Sequence, residues 1–542
     1  MQLTQVMLDS IKKVEATRPK RKGMDIPLFS PEEKEQLLAE FHPDYRKSGF
    51  VELKVGANAG GKAPVELARL LNGTSRVYKK NINLDKIDYE CDVLIIGGGG
   101  AGASAAIEAL NVGAKPIIIT KLRMGDANTM MAQGGIQAAD KANDSPARHY
   151  VDAFGGGHFS NKPELLSQMV LQAPEAIKWL NDLGVMFDKQ PDGTMITTHG
   201  GGTTRKRMHA CRDYTGAEIM RVLRDEVINR GIEIVDFVSA IELILDTDGK
   251  AVGAVLQNNE TGEILIAKAK TVIITTGGAG RLHYQGFPTS NHYGATADGV
   301  VMAYRAGAKL MYPDTLQYHP TGVAFPPQIV GALVTEKVRS VGAQILNIDG
   351  EAFMNPLETR DIASSSIIRE CTARNKGIPT PNGYGVWLDT PLIEEIHGEG
   401  AILQKIPAMF RMYDKFGIDM RKVPILIYPT LHYQNGGIEI DKDCMSTIEN
   451  LYVAGEAAGG IHGSNRLMGN SMLDIIVFGR IAGRIAGEKA KSVKIKKFTL
   501  DFVDKYQQEV EKAGVGTGVA SPMIFPTYTH GNDKIQKLPI DQ

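Results

Sequence analysis

Gly97, Gly99 and Gly102 are spaced for one kind of chemistry, the binding of a pyrophosphate by main chain. The first allows a tight turn, the second lets a phosphate approach the backbone, and the third lets a helix pack closely on a strand. The helix N-terminus then stabilises the phosphate charge. The apolar run 93–96 leads into these glycines and an Ala-rich stretch follows them to about Val112. A second apolar run, 116–120, completes a βαβ unit. It ends in Thr120-Lys121, where a simple NAD dehydrogenase carries an acidic ribose ligand, so that class is disfavoured. The four cysteines, Cys91, Cys211, Cys371 and Cys444, form no C-x-x-C pair. That argues against a zinc or iron–sulfur site held by this chain alone, and against a disulfide framework. No metal site is expected, and the compartment is expected to be reducing and cytoplasmic.

The elements that carry these residues belong to a large globular chain. Its 542 residues suggest two to four domains, and 43% hydrophobic with 23% charged residues is ordinary for a folded protein. A net charge of −1 argues against nucleic acid as the main partner. Glycine is the unusual residue: 59 are present, about 11% against a typical ~7%. Each glycine inside a regular element costs about 0.5–1 kcal/mol relative to alanine. The excess is therefore expected where backbone must approach something large. It does cluster, at 97–102, 134–135, 155–157, 200–202, 277–280, 436–437 and 455–469.

Residues 1–88 read as a polar extension of unknown function. Their basic run (Lys12, Lys13, Arg18, Lys20, Arg21, Lys22) is expected to be solvated or flexible, and 31–41 to be a short helix. Helices are expected at 163–183, 216–230 and 470–490, and short strands at 232–236, 240–246, 251–257, 264–268, 271–275 and near 451–454. The tail from Gly514 is turn-rich. No export signal is expected, and since Arg480 and Arg484 interrupt the apolar stretch 475–486, no membrane span is expected either.

Residues 97–102, 120–135 (TKLRMGDANTMMAQGG), 276–280 (TGGAG) and 451–471 (LYVAGEAAGGIHGSNRLMGNS) recur in an order that resembles the flavoprotein subunit of the succinate dehydrogenase and fumarate reductase family, whose relatives include L-aspartate oxidase. The resemblance covers about residues 90–490. It implies an α/β fold: a Rossmann-like FAD-binding domain (89–313 and 430–489) interrupted by a smaller α+β capping domain (314–429). An N-terminal extension (1–88) and a C-terminal helical or irregular tail (490–542) complete the chain. It places Gly97, Gly99, Gly102, Lys121, Thr129, Gln133, Gly134, Gly135, Asp298, Glu456, Ser471 and Met472 at FAD-contacting positions.

The family's catalytic segments are matched as well. The segment 317–322 (QYHPTG) carries His319, and Thr335-Glu336-x-x-Arg339 follows it. Thr359-Arg360-Asp361 matches the segment with the proton-donating arginine, and His432 and Arg466 match the substrate-binding pair. The resemblance implies hydride transfer between flavin N5 and a dicarboxylate, fumarate or succinate, with Arg360 supplying the proton and Glu336 and Arg339 returning it. His319 and Thr335 would hold one carboxylate, His432 and Arg466 the other; each charge-assisted hydrogen bond is worth roughly 1.5–3 kcal/mol. For Arg360 the alternative is a surface ion pair with Asp361.

Two positions depart from the family pattern. Asn128 stands where the membrane-bound enzymes carry the histidine that links covalently to FAD, which implies non-covalent FAD and favours fumarate reduction. Gly200 stands where fumarate reductases have phenylalanine and aspartate oxidases glutamate. That weighs against aspartate oxidase and leaves room for a larger unsaturated acid. With no cluster site in the chain, an iron–sulfur electron-transfer subunit is the implied partner, holding the enzyme at the inner face of a membrane where such partners are anchored. A flavin electron-transfer subunit without substrate chemistry is the remaining alternative.

Overall fold

The computed structural model describes residues 3–526; the part of the expected C-terminal tail at 527–542 lies outside the described residues. A mixed sheet of eight strands forms the centre of the chain. Its parallel core joins β1 (Tyr89–Ile96), α1 (Gly100–Asn111), β2 (Pro116–Thr120) and β3 (Glu233–Asp236). Leu94 and Ile95 are fully buried, as an unbroken apolar run covered on both faces requires. The chain then makes the antiparallel strands β4 (Val238–Asp246), β5 (Ala251–Asn258) and β6 (Ile264–Ile274).

The sequence suggests two strands in the place of β6, but the structure has one. Its first half pairs antiparallel with β5 and its second half runs parallel to β1. Lys268 and Lys270, which look like a break in the apolar pattern, alternate outward and form ion pairs with Glu90 and Asp92 at 2.6 and 2.7 Å.

A second sheet carries most of the remaining candidate residues. It contains β7 (Leu316–Val323), β8 (Gly383–Leu388) and β9 (Ile425–Gln434), with the short strands Ile345–Leu346 and Ile378–Thr380. Helix α2 (Arg360–Cys371) is tied to β7 by Ser364 Oγ donating to the Tyr318 carbonyl at 2.7 Å. The chain returns to the first sheet through β10 (Leu451–Val453), parallel to β6, and continues into α3 (Asn470–Ala490). Helix α3 lies directly on α1: a Cβ on Gly483 would sit 2.1 Å from the Ala105 carbonyl, so glycine sets the helix separation there.

The N-terminal basic run is only partly solvated: Lys12, Lys13, Lys20 and Lys22 are exposed as expected, but the run lies on a packed helix and its two arginines are buried. Helix Gln5–Arg21 packs on the second sheet, where Ser10 Oγ donates to the Ile348 carbonyl at 2.6 Å and accepts from Trp387 Nε1 at 2.8 Å. Arg18 and Arg21 are buried and each donates at 2.8 Å to a separate oxygen of Asp389, which has no exposed surface. Two guanidiniums on one carboxylate satisfy a buried charge that water no longer reaches. Helix Pro31–Phe41 forms as expected, with Ser30 and Glu33 making a capping box.

Candidate active site

A cleft opens at the carboxyl ends of β1, β2, β6 and β10, the edge at which open α/β sheets hold ligands. Its space, with the open solvent at its mouth included, is about 1340 Å³. Gly97, Gly99, Lys121, Thr129, Asp298, Glu456, Ser471 and Met472 line it. Gly97 has φ +121°, and a Cβ there would meet the Thr275 carbonyl at 2.4 Å, so this turn has no room for a side chain. Gly102 does not line the cleft. Its Cβ would lie 2.0 Å from the Gly97 carbonyl, which fits the helix-packing role of the third glycine. Gln133, Gly134 and Gly135 also lie outside the lining; Gly134 faces Met468, and Gly135 adopts φ +133° against the His209 carbonyl.

Asn128 lines the cleft with every amide position engaged. Its Nδ2 donates to Asn291 Oδ1 at 2.7 Å and to Glu456 Oε2 at 3.1 Å, and its Oδ1 accepts from the His292 amide at 2.6 Å. Burial pushes the Glu456 carboxyl upward despite these donors. Lys121 donates to Thr296 Oγ1, Asp298 Oδ2 and the Ile524 carbonyl at 2.7, 2.5 and 2.7 Å.

The predicted catalytic residues gather where the cleft meets the second sheet. His432, Tyr433 and Arg466 line the cleft itself. Arg466 stacks over the Tyr433 ring at 4.3 Å, and His432 Nδ1 lies 2.7 Å from Ser290 Oγ. Behind them, Arg360 and Arg466 both donate to Gln317 Oε1, at 2.8 and 2.9 Å. Arg360 also donates from Nε to Glu336 Oε2 at 2.9 Å, and Arg339 Nη2 lies 3.3 Å from the same oxygen. Glu336 Oε1 accepts from the Gly201 amide at 2.6 Å. Asp361 does not pair with Arg360: it faces His158, 2.6 Å from the ring Nε2. Thr335 is buried, but its hydroxyl accepts from the Lys337 amide at 3.3 Å and it does not line the cleft.

The protonation states follow from burial and from the arginines. Burial, then the charges of Arg360, His432, Arg339 and Arg466, push the His319 imidazolium well below its usual range. Burial, then Arg360 and Arg466, do the same to His432. For Glu336 burial favours the acid, but Arg360 and Arg339 outweigh it and hold the carboxyl below its ordinary value. Burial first and Arg360 second bring the Arg466 guanidinium down to about 9. His319 Nδ1 accepts from the Thr321 amide at 3.2 Å, so the proton of the neutral ring sits on Nε2. That Nε2–H is buried without a partner, as is Arg466 Nε.

Two participants are absent from the residues singled out in the sequence. Gln317 lies inside the quoted QYHPTG segment, but only the fold brings its amide between two arginines. Gly201 lies in the 200–202 cluster, whose purpose the sequence leaves open; its amide is a ligand of Glu336. Among the described residues, no group of three or more His, Cys, Asp or Glu side chains is placed to hold a metal ion, all four cysteines are buried, and no helix is long and apolar enough to cross a membrane.

The family described as FAD binding domain matches residues 92–472. A fumarate reductase (CoM/CoB) subunit of Methanothermobacter marburgensis is 38% identical over 78% of this chain and 77% of its own length. The 8-methylmenaquinol:fumarate reductase flavoprotein subunit of Wolinella succinogenes is 35% identical over 84% and 76%. Among solved structures, a point mutant of the E. coli quinol fumarate reductase protein FrdA is similar with a TM-score of 0.70 and 30% identity, over 78% of this chain and 74% of that one.

Proposed function

This chain belongs to the FAD-binding family of the fumarate reductase and succinate dehydrogenase flavoprotein subunits, FAD-dependent oxidoreductases, and from that premise we propose that it reduces fumarate to succinate as the catalytic subunit of a complex. The observation that carries the reading is the unpartnered Nε2–H of neutral His319, buried beside His432 with ring centroids 5.0 Å apart and close to Arg360 and Arg466. A buried donor left unsatisfied costs about 1–3 kcal/mol, and a substrate carboxylate oxygen removes that cost. The second carboxylate falls to His432 and Arg466, which reach the cleft. Two guanidiniums around one neutral amide favour a dianion over a monocarboxylate.

The cleft suits FAD: the Gly97–Gly99 turn for the pyrophosphate, Glu456 for ribityl hydroxyls, and Ser471 and Met472 at the flavin end. When bound, FAD supplies the two-electron chemistry. The chain supplies a proton from Arg360, whose Nε is bonded to Glu336 Oε2, so that Glu336 and then Arg339 can restore it. Arginine is ordinarily a poor acid; it serves here because its charge also stabilises the carbanionic carbon that it protonates.

Asn128 offers no nucleophilic ring nitrogen, so FAD is held non-covalently and fumarate reduction is the favoured direction. Electrons arrive through an iron–sulfur subunit, because the four buried cysteines lie far apart in sequence and none forms a C-x-x-C pair. The enzyme works in the cytoplasm, at the inner membrane face where partners are anchored there. The division into 89–313 with 430–489, and 314–429, belongs to this reading and is supported by the two separate sheets, although β9 runs on to Gln434.

L-Aspartate oxidase is the second reading within the family. Gly200 gives a substrate ammonium no carboxylate, which counts against it. The test is equilibrium binding followed by flavin absorbance. Fumarate and succinate should perturb the spectrum at concentrations at which crotonate and L-aspartate do not. Tighter binding of aspartate, with peroxide formed in air, would replace the proposal by the oxidase.

A further inference from the structure

We infer that His158, Asp361 and Asn465 form a positioning relay that fixes the amide of Gln317, and through it the two arginines of the proposed site. This rests on the fumarate-reducing reading above and adds to it three residues that do not line the cleft.

An amide side chain is nearly symmetric in shape but not in polarity, so its neighbours decide which end faces which way. Gln317 points its oxygen at Arg360 and Arg466. Turned over, it would set an NH2 group against two guanidiniums, with no acceptor between them. Its Nε2 is held away from them by donating to Asn465 Oδ1 at 3.0 Å and to the Arg466 carbonyl at 2.6 Å. Asn465 has the same ambiguity, resolved by its Nδ2, which donates to the Gly156 carbonyl at 3.0 Å and to Asp361 Oδ1 at 3.2 Å. A carboxylate only accepts, so Asp361 sets the direction of each bond from Asn465 to the arginines. Gln317, Asp361 and Asn465 are all buried. The other Asp361 oxygen lies 2.6 Å from His158 Nε2. Burial favours the Asp361 acid, but the bond to His158 outweighs it and holds the carboxyl below its ordinary value. The same bond raises the His158 imidazolium.

The loop that carries His158 is built to aim it. His158 and Phe159 have φ +55° and +58°, two successive left-handed residues that lack the freedom of glycine. The loop is tied to the segment that leads into Arg466: the Ser464 amide donates to Ser160 Oγ at 2.9 Å and to the Gly157 carbonyl at 3.1 Å. A histidine that only faces solvent needs no such conformation. The two arginines depend on Gln317 unequally. Arg466 is also held by Ser471 Oγ at 2.9 Å and by its stacking on Tyr433. Arg360 has Glu336 besides Gln317. A turned Gln317 therefore displaces Arg360, the proton donor of the proposed reaction, more than it displaces Arg466.

The test reverses the polarity of one link. Asn465→Asp sets two carboxylates against each other and removes the donor between them. The double variant Asp361→Asn, Asn465→Asp restores the link with its direction swapped: the new amide donates to the new carboxylate and accepts from His158. His158→Asn tolerates the left-handed φ and is too short to reach Asp361. Flavin-loaded protein of the full chain is assayed for fumarate-dependent oxidation of a reduced viologen. Asn465→Asp should lower kcat about tenfold or more, with the KM for fumarate within about threefold of wild type and FAD content unchanged. The double variant should recover at least about threefold of that loss, and His158→Asn should lower kcat about threefold or more. Loss of kcat, KM and FAD content together, with no recovery in the double variant, would mean that the cluster only holds the fold. Unchanged kcat in the single variants would mean that it does nothing for the arginines; each result overturns the inference. If Asn465→Asp does not fold, the half-buried His158→Asn decides by the same criterion. Wild-type protein without fumarate-dependent turnover would overturn the proposed function and this inference with it. An active wild type matched by its variants would overturn the inference alone.

Discussion

Arg360 donates from Nε to Glu336 Oε2 at 2.9 Å, inside a chamber where both residues are buried. The arginine proposed to meet the substrate is thereby in direct contact with a carboxylate held toward its ionised form by two guanidiniums. Replacing Glu336 by glutamine keeps the shape and removes the group that would relay a proton back to Arg360. Turnover should fall by about 10²–10⁴, the usual worth of a positioned acid or base, with FAD content unchanged. Steady-state kinetics on flavin-loaded protein checks this.

Gly201 gives a sharper version of the same prediction. Its amide donates to Glu336 Oε1, and a Cβ placed on it would lie 2.8 Å from that oxygen. Glu336 cannot swing aside without leaving Arg360. Gly201→Ala should lower kcat with little change in the dissociation constant for succinate. A variant that loses succinate binding but keeps kcat would mean that the 200–202 loop serves binding and not proton return.

Acid should destabilise the protein through its buried histidines. Burial, slightly offset by Asp361, lowers the His42 pKa to about 4, and burial, partly offset by Asn470, lowers that of His149 to about 4. His319 and His432 are lowered as well. The folded state then lacks protons that the unfolded state takes up below its ordinary histidine pKa of about 6.5. Stability therefore falls as pH drops through that value, by up to about 3 kcal/mol for each of His42 and His149 by pH 4. Unfolding followed from pH 7 to pH 4 should show the decline, and His149→Asn should reduce the proton uptake on unfolding by about one.

Asp389 has no exposed surface and depends on Arg18 and Arg21. Removing both arginines leaves a buried charge without a partner, which costs about 3–5 kcal/mol. The Arg18→Ala, Arg21→Ala double variant should unfold at clearly lower denaturant concentration. The additional change Asp389→Asn should recover part of the loss.

The same pair shows where the sequence stops being legible. Helix Gln5–Arg21 reads as basic and solvated because the partner of Arg18 lies 371 positions away, beyond any local pattern. The βαβ unit, the helix at Pro31–Phe41 and the helix at Asn470–Ala490 are readable because capping, glycine turns and apolar runs are local signals. Lys268 and Lys270 disguise one long strand as two, since their ion pairs with Glu90 and Asp92 form only across the sheet. In the site, His319, Arg360, His432 and Arg466 can be named from motifs. The role of Gln317 cannot, because it depends on bringing Arg466 to it across 149 positions. The same holds for the Gly201 amide and Glu336, 135 positions apart.

Asn128 has its whole amide engaged by Asn291, Glu456 and His292. Precipitation of the holoprotein with acid should leave yellow FAD in the supernatant and a colourless pellet. Flavin retained in the pellet would show a covalent link formed elsewhere, and the argument from Asn128 would fail.

The central claim is that the buried arginine–histidine chamber reduces a dicarboxylate. It is tested most directly by supplying the anaerobic holoprotein with chemically reduced viologen and following dye oxidation. Fumarate should support rapid oxidation, monocarboxylic unsaturated acids and the no-acceptor control should not, and Arg360→Ala should abolish the fumarate-dependent rate while keeping its FAD. Dye oxidation that is independent of fumarate, or that survives Arg360→Ala, would contradict the account and leave a flavin electron carrier in its place.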